Sequence, residues 1–283
     1  MISIVMAYCN RLKLLKHTFE TLKFSKVKDF EVVIVDDCSE QDQQLREFIK
    51  QWDFKIKLIE LQRRNKWYYN PCIPYNIGLD NSTGNTVIIQ NPECMHLGDV
   101  LSYVYKNIQK NKYISFSCYS IDKNITETFH KLDYSNKEVF NRLLERINPP
   151  IDRAVRDCEE TAWYNHPQHR PLGYHWCCAI TREDLNELGG GFDERFATGV
   201  AYDDDEFAFR VKAKNMVIDM PTSPIVLHQW HGLGNYYGHQ GYESQLRQTY
   251  NQLMLDKVTR QERVLKVNTQ RKLSTTVPFT VYE

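Results

Sequence analysis

The sequence predicts an α/β protein built on an open, mostly parallel, twisted sheet flanked by helices. Two observations predict it. Short apolar runs rich in Val and Ile alternate with segments of helical period through the first 120 residues. The links between them are short, which favours right-handed strand–helix–strand crossovers. In sheets of this kind ligands bind beyond the carboxyl ends of the strands, so those ends are where functional residues are sought.

Taken in order, residues 2–7 are a continuous apolar run and are expected as a strand buried on both faces. Leu12, Leu15, Phe19 and Leu22 fall at helical spacing within residues 11–24. Phe30-Glu31-Val32-Val33-Ile34-Val35 is a second buried strand, after which Ser39 is expected to cap a helix carrying Leu45, Phe48, Ile49 and Trp52. Residues 56–61 are a third strand. A short helix from about Ile73 ends at the turn Asn81-Ser82-Thr83-Gly84, and residues 86–89 form a fourth strand. A helix at 97–109 and a strand at 113–118 follow. From Asp122 to Pro171 the texture becomes charged and aromatic, broken by Pro149-Pro150, with one helix at 136–147; this is read as a surface excursion serving as a lid or facing an acceptor. Residues 172–227 return to strand and helix patterns, including a helix at about 203–214, and the Gln-, Lys- and Arg-rich tail after 240 is expected to be partly helical.

Composition removes several function classes. Hydrophobic residues make up 42% and charged residues 25% of 283 residues, which fits a folded, core-bearing chain and not global disorder. Thirty-six basic residues balance thirty-six acidic ones, giving no whole-chain attraction for nucleic acid. No apolar run approaches the ~18 residues of a membrane span, and Met1-Ile2-Ser3-Ile4-Val5-Met6-Ala7-Tyr8 lacks the basic front of a signal peptide. Eight cysteines without regular spacing or a CxxC pair read as reduced packing residues, implying a cytoplasmic setting.

Four polar constellations follow apolar runs. Asp36-Asp37-Cys38-Ser39 places an acidic pair at a strand end, suited either to a nucleobase or ribose hydroxyl or to capping the next helix. Gln90-Asn91-Pro92-Glu93 offers one carboxylate that can hold a hard divalent cation. Asp203-Asp204-Asp205-Glu206 opens a helix. The helix dipole favours acidic residues there, yet crowded carboxylates also raise one another's pKa, which is how a general base is made. Arg210, four residues after Glu206, is expected to pair with it and leave Asp203 to Asp205 free. Finally, Leu227-His228-Gln229-Trp230-His231 ends a strand. On an extended segment the two histidines point to opposite faces, so one metal ligand is expected rather than two, His228 first and His231 second.

These pieces occur in the order seen in inverting, family 2-like nucleotide-sugar glycosyltransferases of the GT-A fold, which the chain resembles over about residues 1–125 and 172–232. Ser3-Ile4-Val5-Met6-Ala7-Tyr8-Cys9-Asn10-Arg11 is similar to that family's first strand, and Val35-Asp36-Asp37-Cys38-Ser39 to its Val-Asp-Asp-Gly-Ser element. Pro74-Tyr75-Asn76-Ile77-Gly78-Leu79 is similar to its Ala-Arg-Asn-x-Gly-Leu helix, and Gly191-Phe192-Asp193-Glu194 with Asp203-Asp204-Asp205-Glu206-Phe207-x-x-Arg210 to its late acidic segments.

The resemblance implies a UDP-sugar donor, with Asp37 at the base, Ala7 and Tyr8 lining the nucleoside pocket and Asn10, Arg11 and Asn91 nearby. Asn76 would face the diphosphate or sugar, Arg63 or Arg64 a phosphate, and Asp204 would be the catalytic base, flanked by Asp203 and Asp205. His175, Trp176 and Trp230 would floor the acceptor sugar, or else pack in the core. The family's Asp-x-Asp is absent: either Glu93, helped by His228, holds Mn²⁺ or Mg²⁺, or metal dependence has weakened.

One catalytic domain is expected over 1–240: a nucleotide-sugar half (1–121), the excursion (122–171) and an acceptor half (172–240), followed by a tail at 241–283. The expected acceptor is a glycan or glycoconjugate, with a growing glycan, a lipid-linked sugar and a protein as the alternatives. A lipid-linked one would be met at the surface through Arg260, Arg263, Lys266, Arg271 and Lys272. The competing readings are an impaired relative that only binds nucleotide sugars or glycans, a sugar nucleotidyltransferase, which lacks its Gly-rich loop here, and a zinc hydrolase on His228 and His231, which lacks a third ligand.

Overall fold

A computed structural model of the chain describes residues 1–132, 138, 154, 160–232, 242–270 and 272–283. The apolar runs become the middle of its larger sheet. β1 (Ile2–Tyr8) pairs in parallel with β2 (Phe30–Asp36) on one side and β4 (Thr86–Gln90) on the other, and β2 pairs in parallel with β3 (Lys55–Leu61). Beyond β4, β9 (Cys177–Thr181) runs antiparallel between β4 and β6 (Lys112–Ser115), and β10 (Val217–Asp219) lies parallel to β6 at that edge. The opposite edge is β12 (Phe279–Tyr282), antiparallel to β3. The order is therefore β10-β6-β9-β4-β1-β2-β3-β12, an eight-stranded mixed α/β sheet.

Alternation along each strand fills both faces. Ile4, Met6, Val32 and Ile34 point to one side, where α1 (Leu12–Leu22) contributes Leu15, Phe19 and Leu22. Val5, Val33 and Val35 point to the other, against α3 (Cys72–Asp80), α6 (Arg182–Glu187) and α7 (Asp203–Ala213). Gly78 is required in α3 because a Cβ there would stand 2.6 Å from Val5 Cγ1. Among the described residues no helix is long and apolar enough to cross a membrane.

Several boundaries differ from the sequence reading. After β2 the chain makes a 3₁₀ turn at Gln41–Gln43 and then only the short α2 (Arg46–Ile49). Ser39 does not cap it; its Oγ accepts from the Asn10 amide at 3.0 Å, tying the β1 and β2 exits together. Trp52 falls beyond α2, edge-on to Phe19 with ring centroids 5.0 Å apart. Residues 94–97 form β5 (Cys94–Leu97), so α4 (Val100–Asn107) starts later, with Asp99 as its cap accepting from the Ser102 amide.

The expected strand at 113–118 divides between β6 and β7 (Cys118–Ser120), because Phe116 donates to Cys177 O while Ser117 O accepts from Val226. β7 joins a second sheet of order β5-β11-β7-β8, with β8 (Ala162–Asn165) and β11 (Ile225–His228). α5 (Lys123–Phe129) stands within the excursion; the expected helix at 136–147 and Pro149-Pro150 lie outside the described residues.

The segment after 240 supplies α8 (Tyr242–Asp256) as well as β12. Asn251 donates to Ala201 O (2.8 Å) and Phe196 O (3.1 Å), and Asn268 to Phe192 O (2.7 Å). Of the basic tail residues, Arg260 pairs with Asp256 and Lys272 with Asp80, while Arg271 lies outside the described residues.

Candidate active site at the strand ends

The β1 and β2 exits carry residues in the left-handed region, Asn10 (φ 51°) and Cys38 (φ 66°), which turn the chain sharply off the sheet. Asn10 Oδ1 accepts from the Glu40 amide at 2.7 Å, and Asp37 donates its amide to Tyr8 O at 2.8 Å. Asp36 accepts from the Ser39 amide at 3.0 Å; burial pushes its pKa up to about 6, against that hydrogen bond. Asp37 is the carboxylate at the mouth, taking Lys66 Nζ at 2.5 Å and Tyr68 Oη–H at 2.8 Å. Those two partners were not foreseen in the sequence.

Around them several expectations change. Ala7 is partly buried, but Tyr8 is a core residue at 0% exposure whose hydroxyl donates to Gln43 O, so it does not line a pocket. Arg63 donates to Cys38 O and Glu40 and thereby braces the β2 loop, while Arg64 turns back to Gln62. Asn76 does not face a donor: fully buried, it donates to Phe192 O and Glu194 Oε1 at 2.9 Å and accepts from the Phe192 amide at 2.8 Å. It clamps α3 to the Gly191–Glu194 segment, and Gly191 is needed because a Cβ would approach Asn76 Oδ1 to 2.2 Å.

Glu93 follows β4 and is 1% exposed. The antiparallel register of β11 on β5 sets His228 opposite Cys94, and the Gln229 amide donates to Glu93 O. Because β11 ends at His228, the chain turns and both histidines come to Glu93 Oε1: His228 Nε2 at 3.3 Å and His231 Nε2 at 3.9 Å. The expectation of opposite faces fails for that reason. Arg11 Nη1 meets the same oxygen at 2.5 Å, so in this structure its guanidinium lies at the Glu93 cluster. Burial works against the Glu93 charge, but Arg11 and His228 outweigh it and hold its pKa well below the ordinary carboxylate range. Burial, with Arg11 behind it, pushes His231 down to about 3, leaving a neutral imidazole.

The residues present fit a divalent ion. One carboxylate and two imidazoles have ligand atoms within 4.8 Å of one another, and the buried Glu93 Oε2 and His228 Nδ1 have no hydrogen-bond partner. Glu93 stands where a third ligand beside the paired histidines would be needed.

The acidic run enters α7 through two consecutive left-handed residues, Ala201 (φ 61°) and Tyr202 (φ 67°). Conformations of this kind cost ~1 kcal/mol or more and persist where surrounding structure enforces them. Contrary to expectation, none of Asp203 to Asp205 is free. Asp203 accepts from Asn70 Nδ2 at 2.8 Å, and burial together with the Asp204 charge raises its pKa. Asp205 accepts from the Tyr174 hydroxyl. Asp204 meets His175 Nδ1 and keeps its side chain 34% exposed. Glu206 and Arg210 pair as expected, at 2.6 and 2.7 Å.

His175 is buried with Tyr75 and Phe192 edge-on to it, at 5.1 and 4.8 Å between centroids. Burial opposes its positive charge, yet Asp204 and Asp203 outweigh burial and raise its pKa. Tyr75 links the two clusters: its hydroxyl donates to Asn91 Oδ1 at 2.9 Å, and Asn91 Nδ2 reaches Glu93 Oε1 at 3.4 Å. Trp176 stacks on Tyr164 (5.1 Å, 15°) beside Tyr174, and Tyr164 is edge-on to His228, so an aromatic wall runs from His228 to Asp205. Trp230 instead docks toward α5, donating its amide to Thr126 with Lys123 over its ring.

Among solved structures, S. aureus TarS 1–349 superposes with a TM-score of 0.53 at 17% identity, covering 81% of this chain and 60% of that one. The same fragment in complex with UDP-GlcNAc gives 0.55 at 15%, covering 85% and 61%. A Pyrobaculum calidifontis mannosyltransferase in complex with GDP-Man and Mn²⁺ gives 0.53 at 16%, covering 93% and 71%. At such identities the likeness shows the shared GT-A fold, and the chain spans about 60% of the TarS fragment. No curated protein matches it. The family model for glycosyl transferase family 2 matches residues 3–189, well over half of the sequence, and the chain belongs to that family.

Proposed function

We propose that the protein transfers a sugar from a nucleotide-sugar donor, UDP-linked by preference, to an acceptor hydroxyl with inversion at the anomeric carbon. The observation that carries this reading is the pairing of two clusters beyond the strand ends: Glu93–His228–His231, and Asp204–His175, joined through Tyr75 and Asn91. The first suits a diphosphate and its counterion; the second suits removal of a proton from an attacking hydroxyl. Solved neighbours crystallised with UDP-GlcNAc or with GDP-Man and Mn²⁺ support a nucleotide-sugar donor of this kind.

In this mechanism Asp37, set by Lys66 and Tyr68, receives the base or ribose at the mouth between β1 and β2. Glu93, His228 and His231 would hold a divalent cation, which would offset the charge developing on the departing nucleoside diphosphate. Asp203 is anchored by Asn70 and Asp205 by Tyr174, which fixes the first turn of α7 and presents Asp204 to the acceptor. Asp204 takes the hydroxyl proton while the His175 imidazole beside it orients the carboxylate. Trp176, with Tyr164 and Tyr174, offers ring faces for the apolar side of a pyranose. Residues 1–121, with His228 and His231, serve the donor, and the rest of 172–240 the acceptor. Seven cysteines without disulfides among the described residues fit a reducing, cytoplasm-like compartment.

Replacing Asp204 by Asn tests the assignment. Transfer is expected to fall by about 10² to 10⁴ while the Kd for UDP, read by calorimetry, stays within about twofold. Turnover kept at the parent rate removes Asp204 from the base role.

A further inference from the structure

The Glu93 cluster contains one cation more than a ligand set requires. Arg11 Nη1, His228 Nε2 and His231 Nε2 all approach the same oxygen, Glu93 Oε1, at 2.5, 3.3 and 3.9 Å, whereas Oε2 is buried without a hydrogen-bond partner. A divalent ion on Oε1 and a guanidinium at 2.5 Å from that atom would bring two positive charges into contact where solvent screens them little. Both cannot share Oε1. Leaving Glu93 with neither would strand a carboxylate that is 1% exposed.

We propose that Arg11 is an exchangeable internal cation for Glu93: a divalent ion displaces it, and Arg11 thereby sets the metal affinity of the site. The inference rests on the reading of Glu93, His228 and His231 as a ligand set. The position of Arg11 suits exchange. It follows the left-handed Asn10 on the β1 exit and precedes α1 without making a side-chain cap, and its own side chain is 12% exposed at the rim of the cluster. A long stem lets the guanidinium swing outward while its planar fork stays available to an oxyanion such as a diphosphate. Exchange then couples two events at one carboxylate, ion entry and release of an arginine toward the donor.

The test is titration of the full chain with Mn²⁺ alone, reading free Mn²⁺ from its electron paramagnetic resonance signal. Arg11→Gln is expected to bind Mn²⁺ about tenfold or more tightly than the parent, a shift within the usual range for coupled sites. Arg11→Lys, which keeps the charge, should stay near the parent, and Glu93→Gln should lose binding. Thermal unfolding confirms that each variant is folded. A merely structural Arg11 predicts weaker binding on its removal. Equal or weaker binding by folded Arg11→Gln therefore overturns the exchange and leaves the ligand set standing. Absence of binding by both the parent and Arg11→Gln overturns the ligand set as well.

Discussion

At the scale of single residues, the molecule places charge where burial should forbid it and compensates each time with a named partner. Asp36 is the exception that can be measured. It is 4% exposed, and burial raises its pKa from 3.8 to about 6. A raised folded-state pKa means the protonated form is favoured by folding, so this contribution is full below pH 3.8 and is lost as pH rises through about 6. The shift corresponds to about 3 kcal/mol. Asp36→Asn, which stays neutral, is expected to gain stability relative to the parent by up to that amount between pH 4 and pH 7.5, measured by urea unfolding at each pH. A constant difference across that range would show that Asp36 titrates normally.

Residue-scale chemistry was partly legible in sequence. Glu93 and His228 stood out as polar groups at the ends of apolar strands, and the Asp203–Glu206 run as four crowded carboxylates at a helix start. Asn70, Tyr174 and Tyr164 did not, since their roles come from contacts between segments more than thirty positions apart, as Asn70 to Asp203 and Tyr174 to Asp205 show. Asn76 and Tyr8 misled for the opposite reason. Their family positions match the motif, but their polar atoms are consumed inside the fold.

At the scale of elements, strands were read more accurately than the helices and loops between them. Apolar runs buried on both faces leave little ambiguity, and β1, β2 and β3 begin and end within about one residue of expectation. Helix starts moved wherever a neighbouring strand claimed the residues first, as β5 did ahead of α4. The most informative joint is α3 against the segment leading to Glu194. Gly191 lets Asn76 bridge the two, and a methyl at that position would come within 2.2 Å of Asn76 Oδ1. Gly191→Ala is expected to cost about 2–4 kcal/mol of unfolding free energy by denaturant titration, with transfer reduced alongside because the same segment leads to α7. Wild-type stability in this variant would mean that the clamp yields freely.

At the scale of the whole molecule, the second sheet is what brings the two histidines to the β4 exit, and no local pattern announced it. Its strands come from residues 94–97, 118–120, 162–165 and 225–228, so only tertiary structure assembles them. The larger sheet is likewise completed from far along the chain, by β12 on β3. Removing residues 277–283 leaves the β3 edge unpaired. The expected result is a loss of about 2–4 kcal/mol and concentration-dependent association in light scattering. A monodisperse truncated protein of unchanged stability would show the edge strand to be dispensable.

The bracing of the Phe192–Tyr202 segment by Asn251, Asn268 and the amide of Ser274 has a consequence in time. A ribosome delivers the parallel strands and then the Phe192–Tyr202 segment well before the residues that grip that segment. During synthesis the nascent chain therefore passes through a stage in which its sheet is largely laid down while the left-handed entry to α7 has Asn70 beside it but not yet Asn251. The geometry at the start of α7 is then the final thing this polypeptide acquires: it matures only when its later portion folds back.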